Sequence, residues 1–351
     1  MDEFQLIRDY FNGLTASSEG VLLGIGDDAA LLSVPAGHEL VVTSDTLVAG
    51  RHFPHQTRPF DIGWKALAVN LSDLAAMGAT PRWFTLALTL QEQSADWLAG
   101  FSEGLKALAD LHNVALVGGD TTRGPLSITI TAMGLVRAGA AMLRDGAVAG
   151  DLVCVTGTLG DAALALQQLL ATSAPSNSSF PRRRESSVDG GVQVPTLDSR
   201  LRGNDHLKGI DPPLLQRLNR PRPRVEAGVM LAEWSTAAID LSDGLAGDLN
   251  HILIASQVGA ELRAGKLPQS PAFARAAPQD ALALQLNGGD DYELCVCLRA
   301  EDFTAAQAKL NEIGLSLTHI GVITAAPGLR LREGATVRAI EPRGYQHFEA
   351  A

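Results

Sequence analysis

Five short motifs in this chain set acidic side chains beside glycine-rich or β-branched runs. GIGDDAALL carries Asp27 and Asp28, VVTSDT carries Ser44 and Asp45, and VALVGGDTTRG carries Asp120. AAIDLSDGLAGDL adds Asp240, Ser242 and Asp243, and LNGGDDYELCV adds Asp290, Asp291 and Glu293. A single acid in a loop is ordinarily solvated or caps a helix. Five clusters of oxygen ligands together point instead to bound cations. Asp73 strengthens this reading: it lies within the apolar helical pattern DIGWKALAVNLSDLAAMG, beside Leu71 and Leu74, where an unpaired carboxylate is costly. Lys65 is too far along that helix to pair with it. Oxygen ligands without a cysteine or histidine cluster favour Mg²⁺ or Mn²⁺ over zinc, and Mg²⁺ leaves part of its shell to water and phosphate. The expected chemistry is a phosphate site built from several metal ions.

Other phosphate-binding devices are missing. No GxxxxGK[ST] run occurs, and GIGDD lacks the third glycine of a dinucleotide fingerprint and puts acids where a pyrophosphate would lie. Neither GxSxG nor HExxH is present. The three cysteines, Cys154, Cys295 and Cys297, lack zinc-site spacing and should be buried free thiols, the latter two on one face of a strand.

The elements that must position these residues can be read from hydrophobic period. Segments 39–46, 83–90, 114–119 and 126–136 have the length and β-branched content of strands, and 61–78 has helical spacing that stops at Gly78. After the turn-rich RDGAVAGD, LVCVTG begins a new buried strand leading through GTLGD into DAALALQQLL. This places an N-terminal domain over 1–145 and a C-terminal α/β domain over 146–351. The aperiodic, locally basic stretch at about 172–208 is rich in Ser, Pro and Gly and reads as a disordered, passive surface insertion. Past it, LLQRLNRPRPRVEAGVMLAEW resumes helical spacing.

Composition excludes several function classes. A net charge of −11 over 351 residues would repel a nucleic-acid backbone. Apolar residues make up 46% and charged ones 19%, ample for packed cores. No apolar run reaches the roughly 18–20 residues of a membrane span, and the acidic, amphipathic MDEFQLIRDY is unlike a secretory leader. A cytoplasmic globular protein that uses neither nucleic acid nor membrane is expected.

In their order, GIGDDAALL, TSDTLVAGRHF, KALAVNLSDLAAMGATP, GGDTTRGPLSIT, LRDGAVAGD, VTGTLGD, AIDLSDGL, GGDDYEL and GYQHF resemble the thiamine-monophosphate kinases. The resemblance covers nearly the whole chain outside 172–208. It implies the fold of the aminoimidazole ribonucleotide synthetase superfamily, mixed α/β (α+β) in two domains, with an N-terminal domain that dimerises through its strands and a C-terminal mixed sheet with helices. It also implies a homodimer that phosphorylates thiamine monophosphate to thiamine diphosphate by direct in-line transfer, with ATP as co-substrate and several Mg²⁺ ions. Matched residue by residue, the magnesium ligands are Asp28, Thr43, Ser44, Asp45, Asp73, Asp120, Asp240 and Asp243. Gly119, Asp120, Arg144 and Ser242 match ATP contacts, and His52, Asp290 and Tyr345 match positions that hold the thiamine phosphate. Asp120, Arg144 and Asp243 would stand nearest the chemistry. The family usually carries Glu where this chain has Asp290, so the carboxylate here is shorter by one methylene. Asp290 would attract the thiazolium cation and Tyr345 would stack on it. Two alternatives remain: another ATP-using member of the superfamily, and a nucleotide- and metal-binding protein without turnover.

Overall fold

The structure is a computed structural model and describes residues 3–11, 14, 19–91, 94–173 and 210–344. The N-terminal half contains α1 (Glu3–Leu6), β1 (Val21–Leu23), β2 (Leu31–Leu32), β3 (His38–Val48), α2 (Pro59–Ala76), β4 (Thr80–Leu90), α3 (Ala95–His112), β5 (Ala115–Arg123) and β6 (Ser127–Arg137). The C-terminal half begins with β7 (Leu152–Thr156), α4 (Asp161–Ser173), α5 (Pro212–Asn219), α6 (Val225–Leu231) and β8 (Ser235–Asp240). It continues through α7 (Leu245–Ser256), β9 (Gly259–Arg263), α8 (Pro271–Ala276), α9 (Ala281–Asn287), β10 (Leu294–Leu298), α10 (Phe303–Glu312), β11 (Leu317–Thr324), β12 (Gly328–Glu333) and β13 (Thr336–Ala339).

Four strands form the N-terminal sheet in the order β3-β6-β4-β5; the β4–β5 pair is parallel and the others antiparallel. β3 and β6 stay in register from His38–Arg137 to Val48–Ser127. Because side chains alternate along a strand, Thr43, Asp45 and Leu47 share the face toward α2, while Ser44 and Thr46 lie on the exposed outer face. Each expected strand of this half is present: β3, β4 and β5 run two to four residues past their apolar runs at one end, and β6 is shifted by one residue at equal length.

α2 is the hub. It starts at Pro59, whose fixed φ and missing N–H suit a first helical turn, and Gly78 in the left-handed region (φ 68°) turns the chain out just beyond its end. It is buried on nearly every side because it is enclosed between the N-terminal sheet, α3, α6 and β8. Gly63 and Gly104 permit the α2–α3 contact: a Cβ at Gly63 would lie 2.1 Å from the Phe101 carbonyl oxygen, and one at Gly104 would lie 1.9 Å from that of Phe60. One apolar core runs from α2 and the N-terminal sheet through α6 to Leu294, Val296 and Leu298 of β10.

The C-terminal sheet has seven strands in the order β13-β12-β9-β11-β7-β10-β8. Only its β9–β12 pair is parallel. Its second face carries a separate core built from α7, β9 and β11. The helical spacing after residue 210 resolves into two helices rather than one, because Pro221 and Pro223 cannot continue α5. The 172–208 insertion falls almost wholly on 174–209, outside the described residues. All three cysteines are buried free thiols, with Cys295 and Cys297 in one core and Cys154 in the other. Among the described residues no helix is long and apolar enough to cross a membrane.

Candidate active site

A cleft of about 880 Å³ opens between the two halves. Asp45 and His52 line it from β3 and the turn that follows, and Val69 and Asp73 from α2. From the C-terminal half come Asp240 at the end of β8, Ser242 and Asp243 in the β8–α7 loop, and Gly288, Asp290 and Tyr292 before β10. Leu166 and Leu170 of α4 give it an apolar wall.

Local hydrogen bonds fix these groups. Thr43 Oγ1 donates to Asp73 Oδ2, and the Asp45 N–H donates to Asn70 Oδ1 at 3.1 Å, so β3 is registered on α2 by polar contacts. Ser72 Oγ donates to Asp240 Oδ2 at 2.8 Å, joining α2 to β8 across the halves. The β8–α7 loop is tightened by Asp248, whose carboxylate accepts the Asp243 and Gly244 N–H groups at 3.0 Å each. The Asp290 and Tyr292 N–H groups donate to the Ser242 and Leu241 carbonyls at 2.8 Å each, so the two acidic loops are tied to one another through their backbones.

Electrostatics mark the cleft. Burial, with repulsion from Asp73 and Asp243, pushes Asp45 up to about 6. Burial also raises Asp73, although Thr43, Arg144 and Asp45 pull against it. Asp240 is driven well above the usual carboxylate range by burial first and by the charge of Asp73 next. Asp248 rises to about 7, again from burial and then from Asp243. Carboxylates that repel one another in a desolvated cleft favour an incoming cation. Among the described residues no three acidic, histidine or cysteine side chains already converge on one ion. The donor set is nonetheless all oxygen, as a hard divalent cation requires, and the mutual repulsion is what such a charge would relieve.

The GGDDYEL loop divides its acids. Asp290 faces the cleft and its Oδ1 accepts from Lys65 Nζ at 2.9 Å and from the Tyr292 hydroxyl at 3.1 Å. Asp291 turns away, with both oxygens 3.0 Å from the Gly160 N–H. Glu293, fully buried, accepts from Thr156 Oγ1 at 2.7 Å, from Arg217 Nη2 at 2.8 Å and from Arg224. Burial pushes Glu293 upward, but Arg224 and Arg217 overcome it and hold the carboxyl below its usual value. Asp291 and Glu293 therefore leave the cluster of oxygen ligands to which their spacing assigned them. The left-handed backbone at Asp290 (φ 68°) and Tyr292 (φ 49°) twists neighbouring residues to opposite sides.

The other expected residues divide in the same way. Ser242 and Asp243 line the cleft, and His52 does so with Nδ1 accepting the Val48 N–H at 2.9 Å, which leaves the neutral ring's proton on Nε2. Arg144 is exposed, yet its charge acts on Asp73. Ser44 lies on the outer face of the sheet, bonded to Thr131 at 3.0 Å. Asp120 is exposed on β5, at the opposite sheet edge from β3, in the cross-strand row Thr46–Thr129–Ala87–Asp120. Beside it Gly119 has φ 152°, and a Cβ there would lie 1.9 Å from the Leu86 carbonyl oxygen. Asp28 is exposed in the loop between β1 and β2, its N–H on Asp27 Oδ1 at 2.9 Å. Tyr345 lies outside the described residues; Arg343 and Gly344, just before it, line the cleft. Two contributors are not assigned a role from the sequence, where Lys65 is weighed only as a partner for Asp73. Asp248 could have been found as an acid in a first helical turn after a glycine, and Lys65 as a lone lysine in an apolar helix pattern.

Known proteins match this arrangement closely. The AIR synthase related protein N-terminal domain matches residues 26–136, and the corresponding C-terminal domain matches 202–334. The thiamine-monophosphate kinase of Escherichia coli (strain K12) is 43% identical over 349 residues, spanning 99% of this chain and 98% of its own. The crystal structure of thiamine-monophosphate kinase from Stenotrophomonas maltophilia K279a superposes with a TM-score of 0.80 at 45% identity, covering 93% of this chain and 95% of that one. The structure of AaThiL complexed with AMPPCP and TMP superposes with a TM-score of 0.72 at 28% identity, covering 99% and 97%. The two-domain mixed α/β architecture expected from the motifs is the one observed, and with identity of this degree along nearly its full length the chain belongs to the thiamine-monophosphate kinase family.

Proposed function

We propose that the protein uses ATP to phosphorylate thiamine monophosphate, forming thiamine diphosphate and ADP by direct in-line transfer. Beyond the family relationship, one observation carries this: Asp45, Asp73, Asp240 and Asp243, drawn from both halves, share one cleft and repel one another there. The expected cation is Mg²⁺, several ions held by these four with Thr43, and when bound it offsets the repulsion between two anionic reactants. Asp28, Ser44 and Asp120 join that set by the family match alone, since all three are exposed and none is among the residues that line the cleft. Gly119, Asp120, Arg144 and Ser242 are assigned to ATP on the same basis.

The acceptor needs no strong base. A phosphate monoester has a second pKa of about 6 and is largely dianionic at pH 7, so its oxygen is already a competent nucleophile. The chain's work is to align it and to offset charge. His52 presents Nε2–H, a donor suited to a phosphate oxygen. Asp290 meets the acceptor as half of an ion pair with Lys65, so its pull on a thiazolium is weaker than that of a free carboxylate. Tyr345 would supply the stacking surface.

We place the boundary between the halves near residue 145, between β6 and β7. Exposed Leu22, Leu23, Leu31, Leu40, Val42 and Val48 on β1, β2 and β3 support a homodimer formed through these strands. The acidic charge argues against a nucleic-acid partner, and a cytoplasmic location off the membrane is proposed from the family relationship. Purified protein given ATP, Mg²⁺ and thiamine monophosphate should yield ADP and thiamine diphosphate in equal amounts by phosphorus NMR, with no phosphorylated protein. ATP binding without diphosphate product would sink this function and favour a non-catalytic nucleotide-binding protein.

A further inference from the structure

Lys65 stands within an otherwise apolar stretch of α2, and its side chain is only 4% exposed. An ammonium is not buried without partners except at high cost, so the partners define its role. They come from opposite walls of the cleft. Nζ donates to the His52 carbonyl oxygen at 3.2 Å and to Asp290 Oδ1 at 2.9 Å. The first belongs to the turn after β3, where the His52 N–H is itself bound to the Val48 carbonyl at 3.0 Å. The second belongs to the loop pinned on Ser242, with Asp290 in a left-handed conformation that a residue bearing a Cβ keeps only when its surroundings demand it.

We propose that Lys65 is a positioning residue for the phosphate acceptor: it sets the spacing between His52 and Asp290, and so governs recognition of the acceptor and not of the nucleotide. This rests on the reading of the cleft as an ATP-dependent phosphotransferase site. The ion pair also removes a free negative charge from the place where an anionic acceptor must sit. Lys65 touches neither reactant, and it acts through the two residues it joins.

Steady-state kinetics of K65M, D290N and the double variant K65M/D290N test this. K65M should raise KM for thiamine monophosphate by about tenfold or more while KM for ATP stays within about twofold, since misplacing a binding wall costs positioning and not nucleotide affinity. D290N strands the buried ammonium, so the double variant should be no worse in acceptor KM than D290N alone, a coupling that a merely structural lysine would not show. Equal rises in both KM values, an unchanged acceptor KM, or additive effects in the double variant would each overturn the role of Lys65. If K65M does not fold, K65M/D290N, which removes both charges together, carries the same comparison of KM values. Wild-type protein that forms no thiamine diphosphate in this assay would overturn the reading of the cleft itself, whereas wild-type turnover with an unsplit K65M would overturn only the inference about Lys65.

Discussion

Two sets of buried acids differ in the cations that the chain sets against them. Around the cleft, Asp45, Asp73, Asp240 and Asp248 all sit above the usual carboxylate range: burial raises each of them, and in Asp45, Asp240 and Asp248 like charges add to it, while Asp73 stays raised against the pull of Thr43, Arg144 and Asp45. Behind the GGDDYEL loop, Asp61, Asp161 and Glu293 are at least as buried, yet each faces a guanidinium. Asp61 is held by Arg58 and Arg220, Asp161 lies 3.9 Å from Arg217, and Glu293 is gripped by Arg217 and Arg224. Asp291 is the exception on that side: burial outweighs Arg217 and leaves it raised. The contrast teaches that burial alone does not mark a functional acid. What sets Asp45, Asp73, Asp240 and Asp248 apart is that, among the described residues, none of them forms an ion pair with a cation of the chain.

Removing one cleft carboxylate should therefore have the largest effect on activity and little on stability. Asp73→Asn or Asp240→Asn is expected to lower turnover by roughly a hundred- to a thousandfold, the scale of a lost preorganised electrostatic contact. The melting temperature should hold or rise, because a repulsion is relieved. A fall in melting temperature that parallels the activity loss would erase the distinction between the two sets.

Glu293→Gln should do the reverse. Breaking a buried ion pair from one side leaves Arg217 and Arg224 uncompensated and costs about 3–5 kcal/mol in urea unfolding. The pH dependence follows from the direction of its shift. A carboxyl held below its unfolded value contributes stability at neutral pH and loses it as pH falls through the folded value. Wild-type stability should thus decline more steeply on acidification than that of Glu293→Gln; parallel curves would show that the arginine clamp contributes nothing to acid sensitivity.

The smallest effect is expected from the aperiodic stretch of the sequence. Deleting residues 174–207 should leave turnover within about threefold, given the tolerance of surface loops to length change. An insoluble or collapsed deletion variant would mean that the segment supports the arginine-rich side, since α5 begins at Pro212.

Much of the fold was legible in the chain itself. The strands of the N-terminal sheet followed from the length and β-branched content of apolar runs, and α2 from helical spacing, which are local properties. The motifs that supply Asp45, Asp73, Asp240 and Asp243 were legible too, as acids where apolar segments end or inside one. The division at Pro221 and Pro223 was within reach of the sequence as well, since two prolines break a helical pattern, although the spacing alone suggested one continuous helical stretch.

Sequence alone determined which residue types stand at strand ends and helix turns, because backbone sterics and side-chain alternation act over a few residues. Tertiary structure alone decided which acids share the cleft. Asp290 and Asp291 are adjacent, yet one meets Lys65 and the other the Gly160 N–H; Ser44 and Asp45 are adjacent, yet they lie on opposite faces of β3. Coulomb interactions depend on distance through space, and the partners that decide each acid's role, such as Lys65 for Asp290 or Arg224 for Glu293, lie dozens to hundreds of residues away along the chain.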